Sequence, residues 1–257
     1  MPLVELEPRG AVALIRMNRP PMNAINAEVT ADLDAAVLGA ADPAYRAVVV
    51  HGTPNFCAGA DIEDFITAHG AGATSGIARD LQRVLRRLEQ LAKPVLAAVH
   101  GYALGGGCEL ALACDFRVLA DTARIGQPEI LLGLIPGAGG TQRLAQLIGI
   151  ARAKELIYTG RFAKADEALR VGLADQVVPE ADVLDTALAS AARYAAGPTV
   201  ALGAARRAIH GSFELDRDAG LDLEWDEFQR VFDTEDARAG CASFKENGPG
   251  KATFTGR

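Results

Sequence analysis

Serine is scarce in this chain, and none of the four (Ser75, Ser190, Ser212, Ser243) stands in a Gly-x-Ser-x-Gly frame, which excludes a hydrolase built on a nucleophile elbow. Histidine is as rare: His51, His69, His100 and His210 are scattered, with no carboxylate or cysteine at ligand spacing, so structural or surface roles are expected of them. The four cysteines, Cys57, Cys108, Cys114 and Cys241, form no CxxC pair and no zinc spacing, and they read as buried, reduced thiols. Neither glycine-rich stretch completes Gly-x-Gly-x-x-Gly, because Leu110 and Gln142 occupy the third glycine positions, and no P-loop occurs. No apolar run approaches the roughly 20 residues of a membrane span. The opening Met-Pro-Leu-Val-Glu-Leu-Glu lacks the basic-then-apolar order of a leader. Positive charge is also short, with 26 Lys and Arg against 33 Asp and Glu, and a net charge of −7 argues against a nucleic-acid partner. A cytoplasmic protein with neither a membrane nor a nucleic-acid partner is expected.

What is present is a globular composition, 49% hydrophobic and 23% charged over 257 residues. With only 5% aromatics, the core must be built from Leu, Val, Ile and Ala. Leu3 to Glu7 and Ala11 to Met17 read as two strands around a Pro8-Arg9-Gly10 turn. Asn26 reads as the N-cap of a helix to about Ala40, stopped by Asp42-Pro43. Strands are expected at Arg46–His51, Val95–Val99 and Phe116–Ala120, each a short apolar run. Between them, Ile77, Leu81, Val84, Leu85, Leu88 and Leu91 recur at helical spacing before Pro94. Such alternation of strands and helices indicates an α/β or α+β fold with crossover helices. Beyond about Gly140 the pattern turns helical, with one further strand near Gln176–Val178. From Asp182 to Glu246 only helical patterns occur, and no Ser/Gly linker sets this part off, so a packed extension is expected rather than a free domain. Its apolar residues Leu221, Leu223, Trp225, Phe228, Val231 and Phe232 exceed what one exposed helix would carry, which points to a subunit interface, with packing inside the chain as the alternative.

The most informative feature is an acid where core residues belong. Gly105-Gly106-Gly107 opens an apolar segment carrying Glu109, and Glu129 follows in the equally apolar Ile125-Gly-Gln-Pro-Glu-Ile-Leu-Leu132. A buried carboxylate costs several kcal/mol unless paired or protonated, and two in one apolar setting raise each other's pKa. Glycines let the backbone approach a ligand, and N–H groups beside them can stabilise an oxyanion. The small-residue loop Phe56-Cys-Ala-Gly-Ala-Asp61 is a candidate source of a second N–H. Glu109 and Glu129 are therefore the candidate acid/base pair, whereas Asp61 and Asp115 read as turn caps or salt-bridge partners.

Four segments carry a resemblance: Phe56-Cys-Ala-Gly-Ala-Asp-Ile62, His100-Gly-Tyr-Ala-Leu-Gly-Gly-Gly-Cys-Glu-Leu110, Cys114-Asp115, and Gly126-Gln-Pro-Glu-Ile-Leu-Leu-Gly-Leu-Ile-Pro-Gly-Ala-Gly-Gly-Thr-Gln-Arg143. It continues through Ala153–Gly160 and Ala168–Ala174 and spans essentially the whole chain, which thus resembles the enoyl-CoA hydratase/isomerase (crotonase) superfamily. The resemblance implies an α/β fold, a crotonase-like spiral of repeated β-β-α units over residues 1–195. It implies a C-terminal helical region at 196–257 that packs on this core and makes homotrimers or dimers of trimers. It further implies an acyl-CoA thioester as substrate, no cofactor beyond the coenzyme A of that substrate, and no metal. The oxyanion hole would be the N–H groups of Ala60 and Gly106, and substrate would lie along Ala58, Ala60, Asp61, Ile62, Glu63 and Gly106. Hydratases of the family carry two glutamates and isomerases commonly one, so Glu109 and Glu129 together imply hydration of a 2-enoyl-CoA. The alternatives are a Δ3-Δ2-enoyl-CoA isomerase or another acyl-CoA lyase of this fold, and a non-catalytic acyl-CoA-binding protein. Two departures stand out. Glu63 replaces a lysine common in hydratases, leaving Arg19 and Lys251 as candidate partners for the coenzyme phosphates, and His100 replaces the usual asparagine. The acyl tail is expected along a segment from about Asp64 to Arg83.

Overall fold

The computed structural model describes residues 2–63, 66–67 and 76–257. β1 (Val4–Arg9) and β2 (Val12–Met17) form an antiparallel hairpin with Val4 opposite Met17. β3 (Ala47–Gly52), β4 (Val95–Val99), β6 (Phe116–Ala120) and β9 (Gln176–Val178) then add in parallel, giving the order β1-β2-β3-β4-β6-β9. Every residue of β3 and β4 is buried. A strand covered on both faces has no reason to alternate polar and apolar residues, which accounts for the unbroken Val48-Val49-Val50 run.

The second strand of each pair leaves this sheet. β5 (Tyr102–Leu104), β7 (Arg124–Gly126) and β8 (Ala163–Lys164) make a small sheet of their own, and a bridge from Cys57 to Ala103 extends it by one position. Successive turns thus run from β3 to Cys57, from β4 to β5 and from β6 to β7, always from the large sheet to the small one. That is the expected spiral. β5, β7 and β8 are too short for their composition to mark them as strands.

α1 (Ala27–Ala40) starts where expected, with the Asn26 side chain accepting from Val29 N at 2.9 Å. α2 (Gly76–Gln90) buries Leu81, Val84, Leu85 and Leu88, while the side chain of Ile77 lies outside the described residues. α3 (Gly106–Leu112) begins directly after Gly105, which serves as its cap. α4 (Gly140–Ile148), α5 (Ile150–Thr159) and α6 (Ala165–Val171) follow, and α7 (Val183–Ala195) lays Val183, Ala187, Ala191 and Ala195 on the large sheet.

Residues 196–257 hold α8 (Thr199–Glu214), α9 (Arg217–Phe232), α10 (Glu235–Asn247) and a tail. Buried Arg206 of α8 fastens them to the body: its Nε donates to Asp115 Oδ1 at 2.7 Å and its Nη1 to the carbonyls of Leu91 (2.7 Å), Leu88 (3.3 Å) and Glu89. Asp115 also accepts from Val95 N at 2.8 Å, the structural role read for it from sequence. Arg46 donates to Thr199 Oγ1 at 2.9 Å and Gly197 O at 2.5 Å, and Asp236 accepts from the tail N–H groups of Thr255 and Gly256. The apolar cluster of α9 divides. Leu223 and Val231 are half-buried, whereas Leu221, Trp225, Phe228 and Phe232 are more than half exposed.

Three of the four cysteines are buried as expected; Cys241 is exposed on α10, a correction, since that helix has one covered face only. His51 and His100 are buried in a T-shaped contact, ring centroids 5.1 Å apart, which gives both a structural place. Among the described residues no helix is long and apolar enough to cross a membrane, and no group of three potential ligands could hold a metal.

Candidate active site

The two loops singled out from sequence meet. A Cβ placed on Gly106 would lie 3.8 Å from Ala60 N, and one on Gly59 would lie 3.7 Å from Gly106 N. Ile25 pairs with this loop in a parallel bridge, donating to Gly59 O and accepting from Asp61 N, both at 2.8 Å. That pattern occupies the residues on either side of Ala60 and turns the Ala60 N–H away from Ile25. Gly106 is the first residue of α3, whose leading N–H groups have no partner within the helix. Gly107 packs so closely that any side chain would run into the Cys57 carbonyl, and this contact clamps the start of α3 onto the loop.

Glu109, on the first turn of α3, is 2% exposed. Its Oε1 accepts from Ala138 N at 2.7 Å and Gly140 N at 2.8 Å, across a loop some thirty residues further along the chain. Burial pushes its pKa up, while these two N–H groups and the charge of Arg143 pull it back. Glu129 opens a 3₁₀ turn (Glu129–Leu132) that β7 delivers through Gln127-Pro128, and Gly133 in the left-handed region ends it. Its Oε1 would stand 3.3 Å from a Cβ on Gly105, so it lies against the glycine turn. Burial, and then the charge of Glu109, push Glu129 up to about 7. The same burial, together with the charges of Glu129 and Glu109, keeps the Cys108 thiol neutral. One carboxyl with two fixed donors and another titrating near neutrality are the ingredients of general acid–base chemistry. The pair shares one electrostatic environment and titrates as a unit.

The remaining residues divide. Ala58 donates to Met22 O at 2.9 Å, and Asp61 caps the next turn by accepting from Glu63 N at 3.2 Å. Ile62 and Glu63 are exposed on that turn. Arg19 is already engaged, donating to Asp61 Oδ2 at 2.8 Å and to Ala24 O at 2.9 Å, and this ion pair holds the Asp61 carboxyl below its ordinary range. Lys251 is exposed in the C-terminal tail. His100 sits against Glu180 O at 3.1 Å, in keeping with its lack of an assigned chemistry. Of the stretch from Asp64 to Arg83, residues 64–65 and 68–75 lie outside the described residues.

One residue was missed. Gln127 is fully buried, and with its amide nitrogen turned toward Glu129 it donates to Oε1 at 2.8 Å and Oε2 at 3.2 Å. The sequence signal was available, a polar amide two residues before the acid in an apolar run. Clefts of about 220 Å³ beside Thr30, Asp34 and Asp80, and of about 490 Å³ between Arg46, Lys93, Thr199 and Arg257, contain none of these residues. The site is defined by its carboxyls and N–H groups, not by the size of a hollow.

Comparison with known proteins agrees. Residues 7–257 match the family model described as enoyl-CoA hydratase/isomerase. A short-chain-enoyl-CoA hydratase of Clostridium acetobutylicum is 42% identical over 95% of this chain and 94% of its own. A crotonyl-CoA hydratase of Syntrophomonas wolfei is 39% identical over 94% of each. The crystal structure of an enoyl-CoA hydratase from Bacillus anthracis superposes with a TM-score of 0.90 at 35% identity, covering 99% of this chain and all of that one.

Proposed function

The chain belongs to the enoyl-CoA hydratase/isomerase family, and from that premise we infer that it adds water reversibly across the double bond of a trans-2-enoyl-CoA to give a 3-hydroxyacyl-CoA. The observation that supports this reading is the charge coupling of Glu109 to Glu129, with Glu129 lying against the glycine turn where Gly106 meets Ala60 and titrating at about 7.

The thioester oxygen accepts from Ala60 N–H and Gly106 N–H. Attack of water at C3 moves negative charge onto that oxygen, where each preorganised donor contributes on the order of 3 kcal/mol. Glu109, its Oε1 held by Ala138 and Gly140, has Oε2 free to orient the water and take up its proton. Glu129, protonated over part of the neutral range, gives a proton to C2. No step requires a cofactor or metal; the coenzyme A arrives as part of the substrate. The loop bearing Ala58, Ala60, Asp61, Ile62 and Glu63 supplies its backbone to the coenzyme, with Arg19 bracing Asp61.

Purified protein mixed with crotonyl-CoA should bleach the absorbance of the conjugated thioester and yield 3-hydroxybutyryl-CoA. A 3-enoyl-CoA is the control, since its conversion to the 2-enoyl thioester without hydration would replace this reading by isomerisation. The α9 face of Leu221, Trp225, Phe228 and Phe232 is the contact of a homotrimer or a dimer of trimers, with residues 196–257 as the oligomerisation region.

A further inference from the structure

Behind the Glu109 carboxylate stands an ion pair that the reaction itself never touches. Arg143, on α4, donates through Nε to Glu89 Oε1 at 2.5 Å and through Nη2 to Glu89 Oε2 at 2.6 Å. The two-pronged geometry fixes the plane of the guanidinium. Its remaining nitrogen, Nη1, donates to Ala138 O at 2.7 Å. Ala138 is also the residue whose N–H donates to Glu109 at 2.7 Å. One residue is therefore gripped from behind by Arg143 and grips Glu109 in front. Between Ala138 and Gly140 lies Gly139 at φ +111°, where a side chain would run into Arg143 Nη1. The loop and the guanidinium are in such close contact that only glycine fits between them.

The other end of the pair is anchored as well. Glu89 stands in the last turn of α2, and its backbone carbonyl accepts from Arg206. Side-chain exposure is 14% for Arg143 and 24% for Glu89, so water screens the pair poorly. Among the described residues, Glu129 on the 3₁₀ turn is coupled to Glu109 by charge, and Cys108 stays neutral on the same helix. Arg117 on β6 is committed to Asp175 and to backbone carbonyls. Arg143 is the cation whose charge lowers the pKa of Glu109.

We propose that the Glu89–Arg143 pair is a positioning device for catalysis, in which Arg143 holds the Ala138–Gly140 loop against Glu109 and assigns the two glutamates their separate roles. The proposal rests on the hydratase reading. Arg143 touches no reacting atom. It acts through the loop that places the base and through its charge, which favours ionised Glu109 while Glu129 keeps the proton.

The test is the pH profile of kcat for crotonyl-CoA hydration in R143Q, R143K and E89Q, beside thermal melts. R143Q removes both grip and charge: kcat falls on the order of 10- to 100-fold through misplacement, and the acid limb of the profile moves to higher pH. R143K keeps the charge and loses the fork, so its limb stays near the wild-type position while kcat remains low. E89Q frees the guanidinium from its seat and lowers kcat with little change in KM. An unmoved acid limb in R143Q overturns the proposal, because a purely structural arginine would lower Tm and leave the limb in place. If R143Q does not fold, wild-type kcat in R143K or in E89Q overturns it instead. Wild-type protein that fails to hydrate crotonyl-CoA would sink the hydratase reading first, so the two failures are separable.

Discussion

Glu129→Gln should make this protein less active and, above neutral pH, more stable. In the native state the carboxyl titrates at about 7 against an ordinary 4.5, chiefly because burial takes much of it out of water. A carboxyl whose folded pKa is raised binds its proton more tightly when folded, so the penalty of Glu129 is absent below about pH 4.5. It grows through the interval up to 7 and is constant above. At ~1.36 kcal/mol per unit, the wild-type protein loses roughly 2.5 kcal/mol on this account between about pH 5 and about pH 8. Because Glu129 keeps some contact with solvent, a realistic figure is about 1–2 kcal/mol. Glutamine has no proton to lose and escapes the penalty, although the Gln127 amide then loses its carboxylate acceptor. That loss is shared by both pH values to first order, so the informative quantity is the difference of differences. Urea denaturation of wild type and E129Q at the two pH values, at one protein concentration, measures it. E129Q should gain on wild type by about 1–2 kcal/mol on going from low to high pH. An equal offset at both pH values, or one of opposite sign, would refute the argument that burial raises this carboxyl.

Glu109→Gln keeps size but removes the base, and stopped-flow or steady-state hydration should show kcat reduced by on the order of 10² to 10⁴; near-normal turnover would end the two-glutamate assignment. The carbonyl stretch of an enoyl-CoA bound at the Ala60 and Gly106 N–H groups should move to lower frequency, and an unshifted band in an occupied site would remove the oxyanion hole. If the α9 face is the proposed subunit contact, light scattering should show a wild-type particle well above the 26.9 kDa chain and Phe228→Glu should dissociate it, since burying such an aromatic stabilises by about 1.5–3 kcal/mol per copy. A wild-type monomer contradicts this. Burial pushes His51 down to about 4 from 6.5, so between these values the unfolded state takes up a proton that the native state refuses and stability falls with acid. His51→Gln should remove that slope, by up to about 3 kcal/mol, in denaturation curves across the same interval; an unchanged slope would show that His51 does not titrate there.

The residues that could be read without a structure were those whose meaning is local. Val95–Val99 and Phe116–Ala120 were expected at their observed bounds, because five buried apolar residues between turn signals admit few alternatives. Asn26 was legible as a cap because its side-chain carbonyl accepts from Val29 N, only three residues on. Glu109 and Glu129 declared themselves by being acids in apolar runs, a cost the composition alone makes visible. The alternation of strands and helices, and its end before Asp182, likewise follow from pattern.

What the chain could not declare in one dimension was every property that depends on which distant segments meet. β5, β7 and β8 hold two or three residues each and are strands only because adjacent turns of the spiral lie beside them. The helix that carries Glu109 is clamped at its start onto the Cys57 loop, which leaves no room for a side chain at Gly107. The two carboxyls acquire different characters through different partners: Ala138 and Gly140, some thirty residues on, for Glu109, and a turned Gln127 amide with partial burial for Glu129. Sequence by itself determined that this protein carries two costly acids, a glycine turn and a helical end with apolar surface to cover. Only the tertiary structure decided which acid is braced by backbone donors and which titrates near neutrality, because hydrogen bonding and desolvation depend on distance in space and not on position along the chain.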